Sequence, residues 1–383
     1  MLSNASLRVA TLMLVTLVPL YALDIGLSPL EVGLTTTLYF GAAALARPLS
    51  GWLVDTRGRW PIMFIGVILL TLASGMYLLT IPAALFLTLR AVQGMGFSLN
   101  STASNALASE MIPRERLAEG LGILGLEQTV VQIFAPWLAL ILIASYDYET
   151  AFAVVVGCCV ANLLLRIPLA KTAKALETTR RQQPKPAQTQ RKFWTKIVEP
   201  DAWRPASVMF FFMMGNTCVG TFLAASALSR EISNVGLFFV ASGVALAISR
   251  LLIGPLQRHL SLLKVVALGI ALSGVSMLCM YLATGTWGLI LAGVLYGLGV
   301  GVVTPSMNAI TVLAARSQAR GRASATLFLA MDTGMALGAW ALGYVAVVQN
   351  MHTTFLWAAG SMAIALFWLV WLARTGRLRT RRI

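Results

Sequence analysis

The sequence predicts an all-α membrane protein of twelve transmembrane helices, arranged as two pseudo-symmetric six-helix bundles. Three observations predict it: too few charges for a water-soluble surface, repeated apolar runs of membrane-crossing length, and an internal repeat at a fixed offset. Hydrophobic residues make up 58% of the 383 and charged residues only 11%, whereas a soluble domain carries roughly 25% charged residues. That deficit cannot cover a globule in water, so lipid is the expected solvent. The short alternating segments of a membrane barrel are absent, which leaves helices, each needing roughly 20 apolar residues. Such runs occur at 7–23, 31–53, 61–80, 83–108, 118–143, 150–169, 205–226, 234–256, 263–283, 288–313, 322–347 and 354–373.

The formal charge of +15 would suit a nucleic-acid binder, but its placement argues for a bilayer. Alternate connections carry the basic residues: Arg57 and Arg59, Arg114 and Arg116, a basic stretch at 170–204, Arg258 and Lys264, Arg316, Arg320 and Arg322, and the tail from Arg374 to Arg382. The opposite connections hold Asp24, Glu31, Asp147, Glu149 and Glu231, with Arg230 their one arginine. Basic loops stay in the cytoplasm, which predicts that both termini are cytoplasmic. The first apolar run lacks a small-residue cleavage site, so it is expected to remain as a span. The four cysteines (Cys158, Cys159, Cys218 and Cys279) fall inside predicted spans without ligand spacing, and packing is their expected role. No metal and no cofactor are expected.

Residues 170–204 divide the chain into an N-terminal six-helix bundle at 1–169 and a C-terminal bundle with a basic tail at 205–383. Within this cytoplasmic linker, 193–198 reads either as a short amphipathic helix on anionic lipid or as a solvated tether. The two halves match at an offset of 203 residues: Val32-Gly33-Leu34 with Val235-Gly236-Leu237, Arg47 with Arg250, Gly51 with Gly254, and Gly94, Gly96 and Asn105 with Gly297, Gly299 and Asn308. Apolar bias alone does not reproduce an Arg, Asn and Gly set at one offset. Parallel repeats of this kind place a binding site between the halves near mid-membrane.

The second connection reads Gly51-Trp52-Leu53-Val54-Asp55-Thr56-Arg57-Gly58-Arg59. It resembles the G-x-L-x-D-x-x-G-R signature of the major facilitator superfamily, and the resemblance covers nearly the whole chain. Gly51 permits close helix approach, Asp55 offers an acceptor at the boundary, and Gly58 allows a tight turn before Arg59. The resemblance implies a conformational latch of Gly51, Asp55, Gly58, Arg59 and Glu110 that meets the start of the eleventh helix in the outward-facing state. In the second half Arg258 and Ser261 occupy the places of Asp55 and Gly58, so one latch is expected. The fourth span carries Arg90-x-x-Gln93-Gly94-x-Gly96, similar to the family's R-x-x-x-G-x-G motif. Arg90, Gln93, Asn100, Ser101, Ser104 and Asn105 share one helical face. That stripe reads as a cavity wall, with polar helix packing as the plainer alternative. Ala135-Pro136 is similar to the antiporter signature, with Ala in place of its Gly. Gly94-Met95-Gly96-Phe97, Ile112-Pro113, Arg322-Ala323-x-Ala325-Thr326 and Asp332-x-Gly334 resemble bacterial sugar-efflux and opine-metallophore-exporter permeases.

Arg47, Arg90, Glu127, Arg250 and Asp332 fall inside predicted spans. Each costs about 2.5–3.5 kcal/mol at a helix centre unless it faces protein or water. Glu127 and Asp332 stand roughly ten residues inside symmetry-related helices, about 15 Å from the cytoplasmic ends. They are candidate proton sites together with Arg90, or salt-bridge partners of the arginines. Arg47 and Arg250 are gating or structural charges, with anchoring of an anionic solute group as the other reading. Tyr39, Gln93, Asn100, Asn216, Tyr296 and Asn308 are candidate substrate contacts.

With no nucleotide-binding loop, an ion gradient is the expected energy source. The two histidines, His259 and His352, lie in loops, which leaves no nucleophile–base pair or metal cluster in the spans and argues against an enzyme. The expected activity is proton-coupled export of a small organic solute (drug, metallophore, opine or sugar-like) across a bacterial inner membrane by a monomer. An importer of the same fold and a non-transporting membrane sensor are the alternatives. Its expected partners are the solute, protons and the lipid bilayer, and nucleic acid is not among them.

Overall fold

The computed structural model describes residues 2–79, 81–111, 117–168, 199–315, 320–376 and 378, with side chains for all of these except 55, 108–111, 117–126, 257 and 320. Twelve α-helices follow in order: α1 (Leu2–Asp24), α2 (Pro29–Arg57), α3 (Arg59–Gly75), α4 (Ala83–Met111), α5 (Leu117–Ser145), α6 (Tyr148–Arg166), α7 (Trp203–Ser229), α8 (Gly236–His259), α9 (Leu262–Leu282), α10 (Thr286–Ala314), α11 (Arg320–Val348) and α12 (Thr354–Arg374). No strand occurs among the described residues. The expected helix at 193–198 lies outside them.

Among the described residues ten of the helices are long and apolar enough to cross a membrane, and α2 and α4 fall short of that mark. Both are 29 residues long, about 43 Å at 1.5 Å per residue, so length is not what separates them. Their polarity does: Arg47 and Arg90 lie in their interiors, and Ser50, Ser98 and Gln93 are buried with them. A helix can carry such residues through a bilayer when they face protein or water rather than lipid.

Local chemistry sets the helix ends. Ser28 caps α2 in a reciprocal capping box with Glu31, and Pro29 supplies the preset first-turn φ. Asp147 caps α6 by accepting from Thr150 N–H at 2.7 Å, which holds its carboxyl below the usual carboxylate range. Gly58 separates α2 from α3 with φ +99°, the left-handed region that glycine favours, as the turn in the loop motif requires.

Helices α1–α6 pack among themselves chiefly through α1·α5, α1·α6, α2·α4, α3·α4 and α3·α6. Helices α7–α12 pack through α7·α11, α7·α12, α8·α10, α9·α10 and α9·α12. The internal repeat is visible in these contacts. Gly94 of α4 lies against the backbone of Tyr39 on α2, and 203 residues on Gly297 of α10 lies against the backbone of Ser242 on α8. In both places a side chain would meet backbone, so only glycine lets the helices approach this closely.

The two sets meet along α2·α11, α5·α8 and α1·α7. Their contacts run from the end bearing the acidic connections toward the middle: Leu20 with Ala224 and Ala225, Thr37 donating to Ala336 carbonyl at 3.0 Å, Gly33 against Ala339, and Gly243 against Ile133. The deepest are Arg47 with Asp332 and Arg250 with Thr129. Toward the basic end, neither α4 nor α5 makes more than marginal contact with α10 or α11 among the described residues. Among the described residues the two sets are thus packed together on the acidic side, with no packing of comparable extent on the basic side.

Candidate functional site

Arg47 and Asp332 form the bridge between the two sets. Arg47 Nε donates to Asp332 Oδ2 at 2.6 Å, with side chains 11% and 7% exposed. Its Nη1 donates to Ser101 Oγ at 2.9 Å, and its guanidinium lies 5.5 Å from the ring centroids of both Phe97 and Phe328. A carboxylate, a hydroxyl and two aromatic faces thus hold a cation that lipid would not tolerate. The salt-bridge reading of Asp332 is the arrangement present in this conformation, and Arg47 is its partner.

The polar stripe of α4 divides among three neighbours. Arg90, 1% exposed, donates to Thr35 carbonyl at 3.3 Å and to Gln93 Oε1 at 2.8 Å, and it stacks 4.6 Å from the Tyr39 ring. Gln93 turns toward α3, donating to Ser74 Oγ at 3.1 Å while accepting from Tyr77. Asn100 accepts from Arg166 of α6 at 2.9 Å and from Ser104 at 3.2 Å. Ser101 meets Arg47. Arg90, Gln93 and Asn100 accordingly sit in packing between helices of the first set, with Asn105 exposed. Tyr39 is buried between Phe40 and Phe97, and its hydroxyl makes no hydrogen bond. In the second set Tyr296 donates to Asn216 Oδ1 at 2.8 Å, tying α10 to α7, and Asn308 is exposed.

On the α5·α8 side, Arg250 Nη1 donates to Thr129 Oγ1 at 2.6 Å. Glu127 is half-buried, and neither carboxylate oxygen has a hydrogen-bond partner. Arg8 of α1 lies within electrostatic reach of Glu127 and Arg250. Hydropathy puts the first span at 7–23 and so leaves Arg8 at its rim. The helix starts at Leu2 and carries Arg8 more than a turn inward. Arg166, likewise near a span's end, is buried, donating to Ser3 Oγ at 3.0 Å as well as to Asn100.

Of the loop motif, Gly58 makes the turn and Arg59 is buried at the start of α3. The side chains of Asp55 and Glu110 lie outside the described residues. The close helix approach expected at Gly51 is not made in this conformation: a Cβ there would meet nothing within 4 Å. Near it, Glu199 joins α7 to α11, accepting from Arg322 Nε at 3.1 Å and donating its N–H to Thr326 Oγ1 at 2.8 Å.

A family model described as Major Facilitator Superfamily matches residues 1–209 and again 205–382. The multidrug resistance protein MdtL of Citrobacter koseri is 25% identical over 168 residues, covering 43% of each chain. The matched stretch thus spans less than half the length of that relative. A peptide transporter solved in complex with sulfate superposes with a TM-score of 0.77 at 15% identity, covering 99% of this chain and 94% of the other. The human organic anion transporter MFSD10 gives 0.64 at 18%, covering 96% and 97%. Identities this low establish a shared fold alone.

Proposed function

The chain belongs to the major facilitator superfamily of membrane transporters, and on that footing we propose that it exports a small organic solute in exchange for protons by alternating access. Its halves at 1–169 and 205–383 act as the two pseudo-symmetric six-helix bundles, joined by the linker at 170–204. The observation that carries this reading is the one-sided closure, which ends in mid-membrane at the Arg47–Asp332 bridge. With the basic connections in the cytoplasm of a bacterial cell, the less closely packed end faces inward. The described conformation is then the inward-open state of a monomer.

Asp332 is the proton site in this scheme. While ionised it holds Arg47 and keeps the outer end shut. A proton arriving from outside neutralises it in the outward-open state, and return of the Arg47 guanidinium displaces that proton toward the cytoplasm. The relatives' multidrug-resistance names support a drug-like or amphiphilic solute. Proteoliposomes with an imposed pH gradient test the reading directly: solute must move against its own gradient, outward in the sense of the cell, and collapse of the pH gradient must stop it. Movement in the opposite sense would make the protein an importer.

Two further expectations follow from the scheme. In a background lacking Cys158, Cys159, Cys218 and Cys279, a cysteine at Asn350 should react with an impermeant maleimide in intact cells, and one at Gln183 only after lysis. Reaction at Gln183 from outside reverses the orientation. The latch of Gly51, Asp55, Gly58, Arg59 and Glu110 engages α11 when the inner end closes, so Asp55→Asn should slow transport severely while leaving folding and solute affinity intact. Arg258→Gln, at the matching position of the second half, should have little effect. Equal losses at both positions would show that the second loop also latches.

A further inference from the structure

Two helices hold the Arg47 guanidinium in the same way, each with one ring and one oxygen. On α4 these are Phe97 and Ser101, and on α11 they are Phe328 and Asp332, four residues apart in each case. That spacing puts both members of a pair on one helix face. Thr102 adds a longer contact from the α4 side at 3.4 Å. At the 203-residue offset the arginine contact recurs, with Arg250 donating to Thr129 at 2.6 Å, but the rings do not: Phe97 and Phe328 match Val300 and Gly125. The two rings thus accompany the carboxylate on the α2·α11 seam. Among the described residues Arg47 is the charged group bonded to Asp332. Tyr39 lies within electrostatic reach of it, with Arg90 against the Tyr39 ring. The other titratable groups of α2, α7, α10 and α12 lie toward helix ends, except Cys218 and Tyr296, which are bonded to Thr354 and Asn216.

The two holds differ in what happens when the sets part. Phe97 and Ser101 belong to Arg47's own set and stay with it, whereas Phe328 and Asp332 belong to the other set and lose it. Protonation of Asp332 removes the ionic part of the α11 hold and leaves the attraction of the Phe328 ring for the cation. We propose that Phe328 is a positioning residue for proton release: its ring receives the Arg47 guanidinium while Asp332 still carries its proton. Arg47 seated there lies against the carboxyl group. The Asp332 O–H bond breaks as the ion pair forms, and the proton passes to water on the basic side. The inference rests on the carrier reading and adds a residue to it. Leucine in place of Phe328 offers no such seat, because the attraction comes from the negative face of the ring. Closure would then wait until Asp332 had lost its proton through the open acidic end, back to the side it came from.

The test replaces Phe328 or Phe97 with mono-, di- and trifluorophenylalanine in the full-length protein by amber suppression. Each fluorine weakens the negative face of the ring and nearly keeps its shape, so packing alone does not follow the series. Spin labels at positions 25 and 348 report opening of the acidic end. Trifluorination at 328 should raise the ratio of open to closed molecules by about fivefold at a given pH. It should also move the opening transition to higher pH, with the lesser fluorinations in between and Phe328→Leu acting as trifluorination does. The same series at 97 should change the ratio by less than about twofold, because Phe97 keeps Arg47 in both states. In an Asp332→Asn background, where the partner is always neutral, the series at 328 should still deplete the closed molecules. Where that variant does not fold, the native carboxyl at acidic pH gives the same reading. No effect at 328 in either setting, or an equal shift at 97, overturns the inference. One distance at every pH in the native protein, unchanged by Asp332→Asn, contradicts the carrier reading instead.

Discussion

Asp332→Asn is expected to abolish gradient-driven accumulation and to lower stability by roughly 3–5 kcal/mol, the cost of stranding one partner of a buried pair. Arg47 is only 11% exposed, and without the carboxylate it keeps hydroxyl and aromatic neighbours that do not neutralise it. The double variant Arg47→Gln with Asp332→Asn removes both charges and should recover most of the lost melting temperature. The two roles of Asp332 separate in that double variant. If Asp332 carries the proton, solute counterflow survives while accumulation against a gradient does not. If the pair is merely structural, the stable double variant keeps both.

Gly94→Val and Gly297→Val should each deplete folded protein, because the new side chain meets the backbone of Tyr39 or Ser242 across a helix contact. Overpacking costs about 1–3 kcal/mol where side chains can shift, and here backbone stands in the way, so the upper part of that range or beyond is expected. Gly51→Val and Gly254→Val add the same side chain where nothing lies within 4 Å, and they should fold normally. Gly51→Val should nevertheless slow transport, because the latch needs a close approach in the other conformation. The four variants share one chemistry, so their yields of monodisperse protein and their melting temperatures report contact geometry. Equal damage at all four would mean that the basic end is packed in solution.

The helices were legible because each must bury a run of apolar residues in lipid, and the internal repeat was legible because Arg, Asn and Gly recur at one offset. The side-chain partnerships were not. Periodicity placed Arg90, Gln93, Asn100 and Ser101 on one face of α4, but it carries no information on which neighbour each meets. In the fold Gln93 turns to α3, Asn100 to α6 and Ser101 to Arg47 of α2. Arg8 and Arg166 each sit within a few residues of a span's end, where hydropathy blurs the boundary between loop and membrane. The mismatch between Asp332 and Thr129 was readable from the offset alone, but it acquires meaning only once both arginines are seen to make the same contact.

The central claim is that the ionised Arg47–Asp332 bridge holds one end shut and that a proton on Asp332 stabilises the state in which that end is open. Spin labels at positions 25 and 348, in the connection before α2 and at the end of α11, report the distance across that closed end. Between neutral and acidic pH the account predicts that a single short distance gives way to a second, longer population. Asp332→Asn should show the longer population already at the higher pH. One short distance at both pH values, unchanged by Asp332→Asn, would contradict the account.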